Sequence, residues 1–504
     1  MSKTLSWIKK PELVIGIAGP IGVDMDAIAE SLGHALTVVH YHPASIRLTE
    51  EMARFPADVT ILDGDFFAEA DSKMRFGNAL RRLTDDPAAL ARVAVMAIRA
   101  RREELTGDDG SAADVTAYIV RQLKRPEEVD FLRRLYGRQF ILISAYGARD
   151  RRRELLRERL RQTMDTTTKS GELAARAEML IETDASEADK KYGQQLRDTF
   201  HHGDVFIDGL SRPEMDSKLS RFVQALFGRV DIGPSKDELG MYAASAAALR
   251  STDLSRQVGA AIFTADGAII AQGCNEVPRA FGGAYWDSES PDFRDVRIGF
   301  DPNAREIREV LRDLFERLGE DMLSEKAKAM GKPAAMVEAL VAKSGALTDA
   351  AILDLTEYGR VVHAEMHAIA EAARLGRRTQ GGVLYCTTFP CHNCTKHILA
   401  AGIGRVVYIE PYPKSRAKAL HGNEIEVENK SLSRVEFTPF LGISPGRYRD
   451  IFQKGRRKGA DGHAKQWYHD EERPMVDVMY PTYLALERYA LLPLLERRIE
   501  RNAL

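Results

Sequence analysis

Along the first 230 residues the apolar positions alternate between two patterns. LVIGIAG (13–19) is a continuous apolar run, the mark of a strand buried on both faces. DMDAIAESLGHAL (24–36) spaces its apolar residues as a helix does, and TVVHYH (37–42) predicts a second strand. Helical spacing then prevails from about 57 to 105. Apolar runs at VTAYIVRQL (115–123), FILISAYG (140–147) and GDVFIDG (203–209) predict further strands, with a helix over RPEEVDFLRRLYG (125–137). Apolar strands alternating with helices predict an α/β fold with a parallel, doubly wound sheet.

A polar stretch containing Gly and Pro, DIGPSKDE (231–238), marks a domain boundary, giving domains over 1–230 and 231–504. The second domain begins with a helix over 236–250 and strands VGAAIFTADG (258–267) and GAIIAQGCN (267–275). A long insertion (281–360) is mainly helical, as in NAREIREVLRDLFERLG and PAAMVEALVAKSG. Next come a helix beginning at HAE, strand GGVLYCTTF (381–389), a helix at PCHNC, strand RVVYIEP (405–411), helix KSRAKALHG (414–422) and strand VEFTPFLG (435–442). The link between the last two strands is long enough for a crossover, so they are expected to run parallel. Beyond 446 a basic loop (QKGRRKG) and a terminal helix form a C-terminal extension of this domain.

Composition narrows the function classes. The chain has 504 residues, 44% hydrophobic and 29% charged, as in ordinary globular proteins. Lys+Arg is 72 against Asp+Glu 74, so there is no global positive field to hold a polyanion, and nucleic acid is not the expected substrate. The arginine-rich segment RRRELLRERLRQ (151–162) carries leucines at helical spacing and glutamate partners, which predicts a solvated helix face. Four cysteines are too few for a disulfide framework. With no leader pattern in MSKTLSWIKKPELVIGIAG and no apolar run of ~18 residues, a cytoplasmic protein without a membrane span is expected.

Between the first strand and helix, Gly19-Pro20-Ile21-Gly22-Val23-Asp24-Met25-Asp26 stands where a phosphate loop G-x-x-x-x-G-K-[ST] belongs. Gly19 and Gly22 are present, but Met25 replaces the lysine that meets the β/γ-phosphates and Asp26 the hydroxyl that holds Mg²⁺. Asp24 and Asp26 cap a helix well and repel an anion. A tight strand-to-helix turn and a nucleotide site both remain open, in a domain that resembles P-loop kinases but lacks the groups for hydrolysis.

The second candidate site is sharper. VHAEMHAI places His363, Glu365 and His367 together, and in PCHNC Cys391 follows His363 by 28 residues, with Cys391 and Cys394 on one helix turn. Proline favours a helix's first position, and the helix dipole favours the thiolates that zinc needs. Two thiolates and one imidazole leave a fourth position for water, the pattern of catalytic zinc. His363, Cys391 and Cys394 are the expected ligands and Glu365 the proton carrier. His367 is expected in the pocket wall or as a satisfied helix histidine. His392 and His397 read as ordinary helix positions, and Cys274 and Cys386 as small core residues. H-x-E followed by P-C-x-x-C is the signature of the zinc nucleobase deaminases. The expected chemistry is hydroxide attack at C4 of cytosine, with Glu365 carrying the proton to N3 and then to the departing amine.

SRQVGAAIFTADGAIIAQGCNEVP, HAE, TTFPCHNC and IGRVVYIEPYPKS together resemble deoxycytidylate deaminase. With the P-loop kinase-like first half, the chain is similar to the bacterial anti-phage dCTP deaminases. The resemblance implies Zn²⁺ as cofactor, free deoxycytidine nucleotides (dCTP, with dCMP as the second candidate) as substrate and depletion of the pool a phage requires. It also implies a homo-oligomer and leaves room for a regulatory nucleotide on the first domain. It places Asn275 of GCN against the sugar hydroxyl, although a turn asparagine ahead of Pro278 fits the spacing equally. The asparagine usual in the family after HAE-x is His367 here. Tyr412 and Lys414 of PYPKS are candidates for base stacking and phosphate contact, Arg256 is another phosphate candidate, and the aromatics of AYWDSESPDFRD could cover the pocket or pack in a core. Two alternatives share the motifs: an RNA or single-stranded DNA editing deaminase, and a nucleotide-sensing regulator.

Overall fold

A computed structural model of the chain describes residues 8–164, 169–187, 191–348, 350–467, 473–476, 478 and 481–502. The first seven residues, read above for a leader pattern, and the last two of the terminal helix lie outside them. The chain forms two compact units, Met1–Glu238 with Pro439–Leu504, and Leu239–Thr438.

In the first unit β1 (Leu13–Ala18) is buried at every position and pairs in parallel on both sides, with β3 (Thr116–Leu123) and β4 (Phe140–Tyr146). β2 (His42–Arg47) extends the sheet beyond β3, and β5 (Val205–Asp208) extends it beyond β4, both in parallel. Alternate residues feed opposite faces: Val14, Tyr118 and Leu142 join one core, while Ile15, Ile119 and Ile141 join the other. The strand expected at 37–42 lies further on. The helix Met25–Val38 absorbs Thr37 and Val38, and His42–Arg47 forms the strand. Leu36, Val39 and Tyr41 are buried as the helix end packs against its core, so tertiary packing outweighs the β-branched run. Pro43 is tolerated because β2 is an edge strand. Helices Phe66–Thr84 and Ala89–Thr106 fill the helical stretch, and Arg149–Thr163 buries Leu156 and Leu160 while its arginines pair with neighbouring acids.

The second unit holds β6 (Gly259–Phe263), β7 (Ile269–Cys274), β8 (Val383–Thr388), β9 (Arg405–Glu410), β10 (Ile425–Val427) and β11 (Val435–Pro439) in the order β10-β11-β9-β8-β6-β7. β6 pairs antiparallel with β7 and β8, whereas β8 runs parallel to β9 and β10 to β11. The helix Ala364–Arg374 lies against β7. It comes so close that a Cβ on Gly273 would stand 2.4 Å from the Ala364 carbonyl oxygen and 2.4 Å from the Ala368 nitrogen, so only glycine fits there. In the insertion, helices Pro302–Leu318 and Pro333–Val341 pack through Ile307, Leu311 and Val337.

The C-terminal segment corrects the expected organisation. VEFTPFLG divides between β11 and β12 (Gly442–Ile443), and β12 pairs antiparallel with β5 of the first sheet, whose order becomes β12-β5-β4-β1-β3-β2. The extension thus belongs to the first unit, where Ile443, Ile451, Tyr483, Leu491 and Leu494 are core residues. The helix Tyr483–Asn502 is also held by a buried charge cluster. Fully buried Arg102 binds Glu12 at 2.9 Å and Glu487 at 2.7 Å, and the hydroxyls of Tyr118 and Tyr483 donate to Glu12 as that of Tyr136 does to Glu487. None of the described helices is long and apolar enough to cross a membrane.

Arg102→Met leaves two buried carboxylates facing each other without their cation. It is expected to cost ~3–5 kcal/mol, read as a lower urea midpoint in the unfolding of the full chain.

Candidate metal centre and active site

Two helix starts build the site. His363 is the N-cap of the helix Ala364–Arg374, and the preceding Val362 exchanges backbone hydrogen bonds with Glu276 at 3.0 and 3.2 Å. Cys391 is the N-cap of the helix His392–Ala400, its sulfur accepting from the Cys394 N–H at 3.4 Å. Pro390 therefore precedes the cap rather than opening the helix, and the chain reaches it directly from the end of β8.

His363, Cys391 and Cys394 meet as expected: their ligand atoms all lie within 4.8 Å of one another. His363 Nδ1 stands 3.4 Å from Cys391 Sγ and 3.5 Å from Cys394 Sγ. Tetrahedral zinc, with bonds of ~2.3 Å to sulfur and ~2.0 Å to nitrogen, separates such atoms by roughly 3.5 Å. The donor set fits that ion. The Cys394 S–H bond to Cys391, aided by His363, holds the Cys391 thiol down to about 4, while giving that hydrogen bond and burial push Cys394 up. The first thiolate thus forms readily, and a cation's charge favours removal of the second proton.

Glu365, in the first turn after His363, is buried and reaches the same cavity. Burial, reinforced by the negative charge of Cys391, raises its carboxyl above the usual carboxylate range. A carboxyl so poised can both accept and return a proton.

The cavity, of about 240 Å³, is also lined by Asn275, Arg256 and Tyr412. Asn275 Nδ2 donates to the Arg256 carbonyl and its Oδ1 accepts from the Val258 N–H, both at 2.7 Å, so its amide fixes the loop beneath Arg256. Arg256 binds Glu410 at 2.9 Å and lies 5.1 Å from the Tyr412 ring centre. Lys414 is outside the lining, bound at 2.6 Å to Asp354, which does line it. Gly19 and Gly22 belong to the first unit and take no part here.

Several lining residues escaped the sequence reading. Arg360, three positions before His363, binds Asp295 at 3.0 Å, and the insertion also contributes Asp301 and Asn303. No local motif marks them; only proximity of Arg360 to HAE was available as a signal. The aromatics of AYWDSESPDFRD do not line the cavity: Trp286 carries the Arg250 guanidinium at 3.7 Å from its ring centre, and Tyr285 meets Phe293 edge-on. His392, read as an ordinary helix position, lines the cavity with a buried Nδ1 that lacks a hydrogen-bond partner. His367 is a buried helix histidine with Nδ1 2.8 Å from the Cys274 carbonyl oxygen, and Cys274 and Cys386 are buried, free thiols.

The family model for the cytidine and deoxycytidylate deaminase zinc-binding region matches residues 234–410. Deoxycytidylate deaminase of Enterobacteria phage T4 is 44% identical over 82 residues, which is 15% of this chain and 42% of that protein. ComE operon protein 2 of Bacillus subtilis (strain 168) is 45% identical over 53 residues, 10% of this chain and 28% of that protein. The chain spans less than half the length of the curated relatives it matches. Among solved structures, dCMP deaminase from the cyanophage S-TIM5, in complex with dCMP and dUMP, aligns with 41% of this chain and 98% of its own at 19% identity and a TM-score of 0.23.

Metal analysis of the purified chain is expected to find one zinc per second unit, and Cys391→Ser or His363→Ala to lose most of it, while Arg256→Gln retains it.

Proposed function

We propose that the second unit removes the exocyclic amine of free deoxycytidine nucleotides, dCTP and also dCMP, by hydrolysis. The observation that carries this reading is a buried Glu365 carboxyl beside the His363, Cys391 and Cys394 cluster, with its pKa raised. Zinc bound by those three residues supplies acidification of water to a pKa of ~7. Glu365 accepts one proton of the attacking water and delivers it to ring N3, then takes the second proton from the new C4 hydroxyl and passes it to the amino group. The C4–O bond forms, the C4–N bond breaks, ammonia leaves and the ring is uracil. Burial of Glu365 keeps its proton within the site and off bulk water.

Arg256 and Tyr412 are proposed as substrate contacts, with Asn275 positioning the loop that carries Arg256. A phosphate entering the cavity competes with Glu410 for the Arg256 guanidinium, and with Asp354 for Lys414 at its edge. The matched family region supports the base, and the near-balance of positive and negative charge supports a free nucleotide over a polymer. The resemblance to anti-phage dCTP deaminases supports depletion of the deoxycytidine nucleotide pool as the consequence.

Ammonia release from dCTP, dCMP, deoxycytidine and a cytosine-containing oligonucleotide is the decisive measurement. The two nucleotides are expected to react, and Glu365→Gln to lose at least about a thousandfold in rate, ~4 kcal/mol, with zinc retained. Turnover confined to the oligonucleotide, or an active Glu365→Gln, refutes the proposal. Arg256→Gln is expected to lower kcat/KM for dCTP about tenfold, ~1.4 kcal/mol, and to leave deoxycytidine unchanged.

A further inference from the structure

His392 leaves one polar atom unanswered inside the active cavity. It opens the helix His392–Ala400, between the ligands Cys391 and Cys394, and its half-buried side chain lines the cavity. Its Nδ1 is buried and has no hydrogen-bond partner among the described residues. Nearly all buried polar groups are paired, and one left unpaired costs free energy. Beside a cavity, such an atom marks where a hydrogen-bonding group of the ligand belongs.

Other neutral polar side chains of the lining are spent on the chain itself. Asn275, which the resemblance places against the sugar hydroxyl, gives its Nδ2 to the Arg256 carbonyl and its Oδ1 to the Val258 N–H. Asn303 donates to the Leu355 carbonyl at 2.7 Å and accepts from the Tyr358 N–H at 3.2 Å. Thr388 donates to Glu410 at 3.1 Å. No such tie holds the His392 Nδ1.

Its place along the cavity narrows which group it meets. On one side is Cys391, at the metal end, where Glu365 acts on ring N3 and the amine. On the other is the loop of Tyr412 and Lys414, which Ser415 fastens to the Pro390 carbonyl at 2.8 Å. A nucleotide with its base at the metal end and its phosphates at Arg256 and Lys414 lays its sugar between them, and the one free hydroxyl of that deoxyribose is at 3′. We propose that His392 Nδ1 accepts a hydrogen bond from the 3′-hydroxyl of the substrate. The inference rests on the deamination proposed above and deepens it. A cytosine inside a strand has an esterified 3′ oxygen with no proton to give, so the imidazole selects free nucleotides.

Ammonia release from dCTP and from 2′,3′-dideoxycytidine triphosphate, which lacks only the 3′-hydroxyl, tests it in a two-by-two comparison with His392→Ala. The unaltered chain is expected to favour dCTP about tenfold in kcat/KM, chiefly through KM. His392→Ala, with zinc retained, is expected to lose that factor on dCTP and to match the unaltered chain on the dideoxy substrate, because hydroxyl and imidazole serve one bond. Equal kcat/KM for the two substrates in the unaltered chain overturns the proposal. So does a loss in His392→Ala that is the same for both, which is what an imidazole needed only for packing gives. Should His392→Ala lose zinc, His392→Phe, which keeps a ring in place, is measured instead, and loss of zinc by both overturns the proposal too. No turnover of dCTP by the unaltered chain refutes the deamination itself and this inference with it, whereas equal turnover of the two substrates leaves the deamination standing.

Discussion

The metal centre requires two helices to begin at one place. His363 and Cys391 are both N-caps, so each presents its ligand atom from the last extended residue before a helix, where the dipole favours negative charge. For His363 Nδ1 to stand 3.4 Å from Cys391 Sγ, both helix starts must be fixed to within a fraction of an ångström. The sheet provides this. β8 delivers Cys391 at its end, the bridge between Glu276 and Val362 holds the approach to His363, and the bare backbone at Gly273 lets the helix of His363 settle onto β7. A side chain at 273 would push that helix outward and carry both His363 and Glu365 away from the sulfurs.

The first unit is organised around buried charge instead. Arg102 with Glu12 and Glu487 brings two negative charges to one positive, and phenol hydroxyls of Tyr118, Tyr136 and Tyr483 share the excess. Such a cluster adds little net stability compared with apolar packing, but it is intolerant of losing a member. It therefore specifies where the C-terminal helix docks. Lys124 and Asp184 follow the same logic on a smaller scale: neither charge could stay buried without the other.

What could be read from the sequence was what is local in it. H-x-E fixes one ligand and the proton carrier within one turn, P-C-x-x-C fixes two ligands within another, and both sheets announced themselves through apolar runs, β1 most plainly. Long-range choices were illegible. Thr37-Val38-Val39 favours a strand by propensity, and only the core beneath it makes it a helix end. Nothing near VEFTPFLG reveals that Gly442 and Ile443 pair with β5, because that strand lies more than two hundred residues earlier. Arg360 and Asp295 reach the cavity from an insertion whose pattern shows only amphipathic helices, and Asp184 is an unremarkable helix residue until Lys124 and Ile21 are placed around it.

The cations around the metal cavity have a common feature that bears on selectivity. Arg256, Arg360 and Lys414 are each bound to a carboxylate, Glu410, Asp295 and Asp354 respectively. An uncharged nucleoside gains nothing by breaking these pairs. A terminal phosphate offers each cation a doubly charged partner in place of a singly charged one, and the guanidinium of Arg256 can hold it through two parallel hydrogen bonds. The two more exposed pairs, Arg256–Glu410 and Lys414–Asp354, are each worth only ~1 kcal/mol or less, so exchange there is cheap for a strong anion. In the proposed reaction these pairs favour a phosphorylated substrate over an uncharged nucleoside, because only an anion can take the place of Glu410, Asp295 or Asp354.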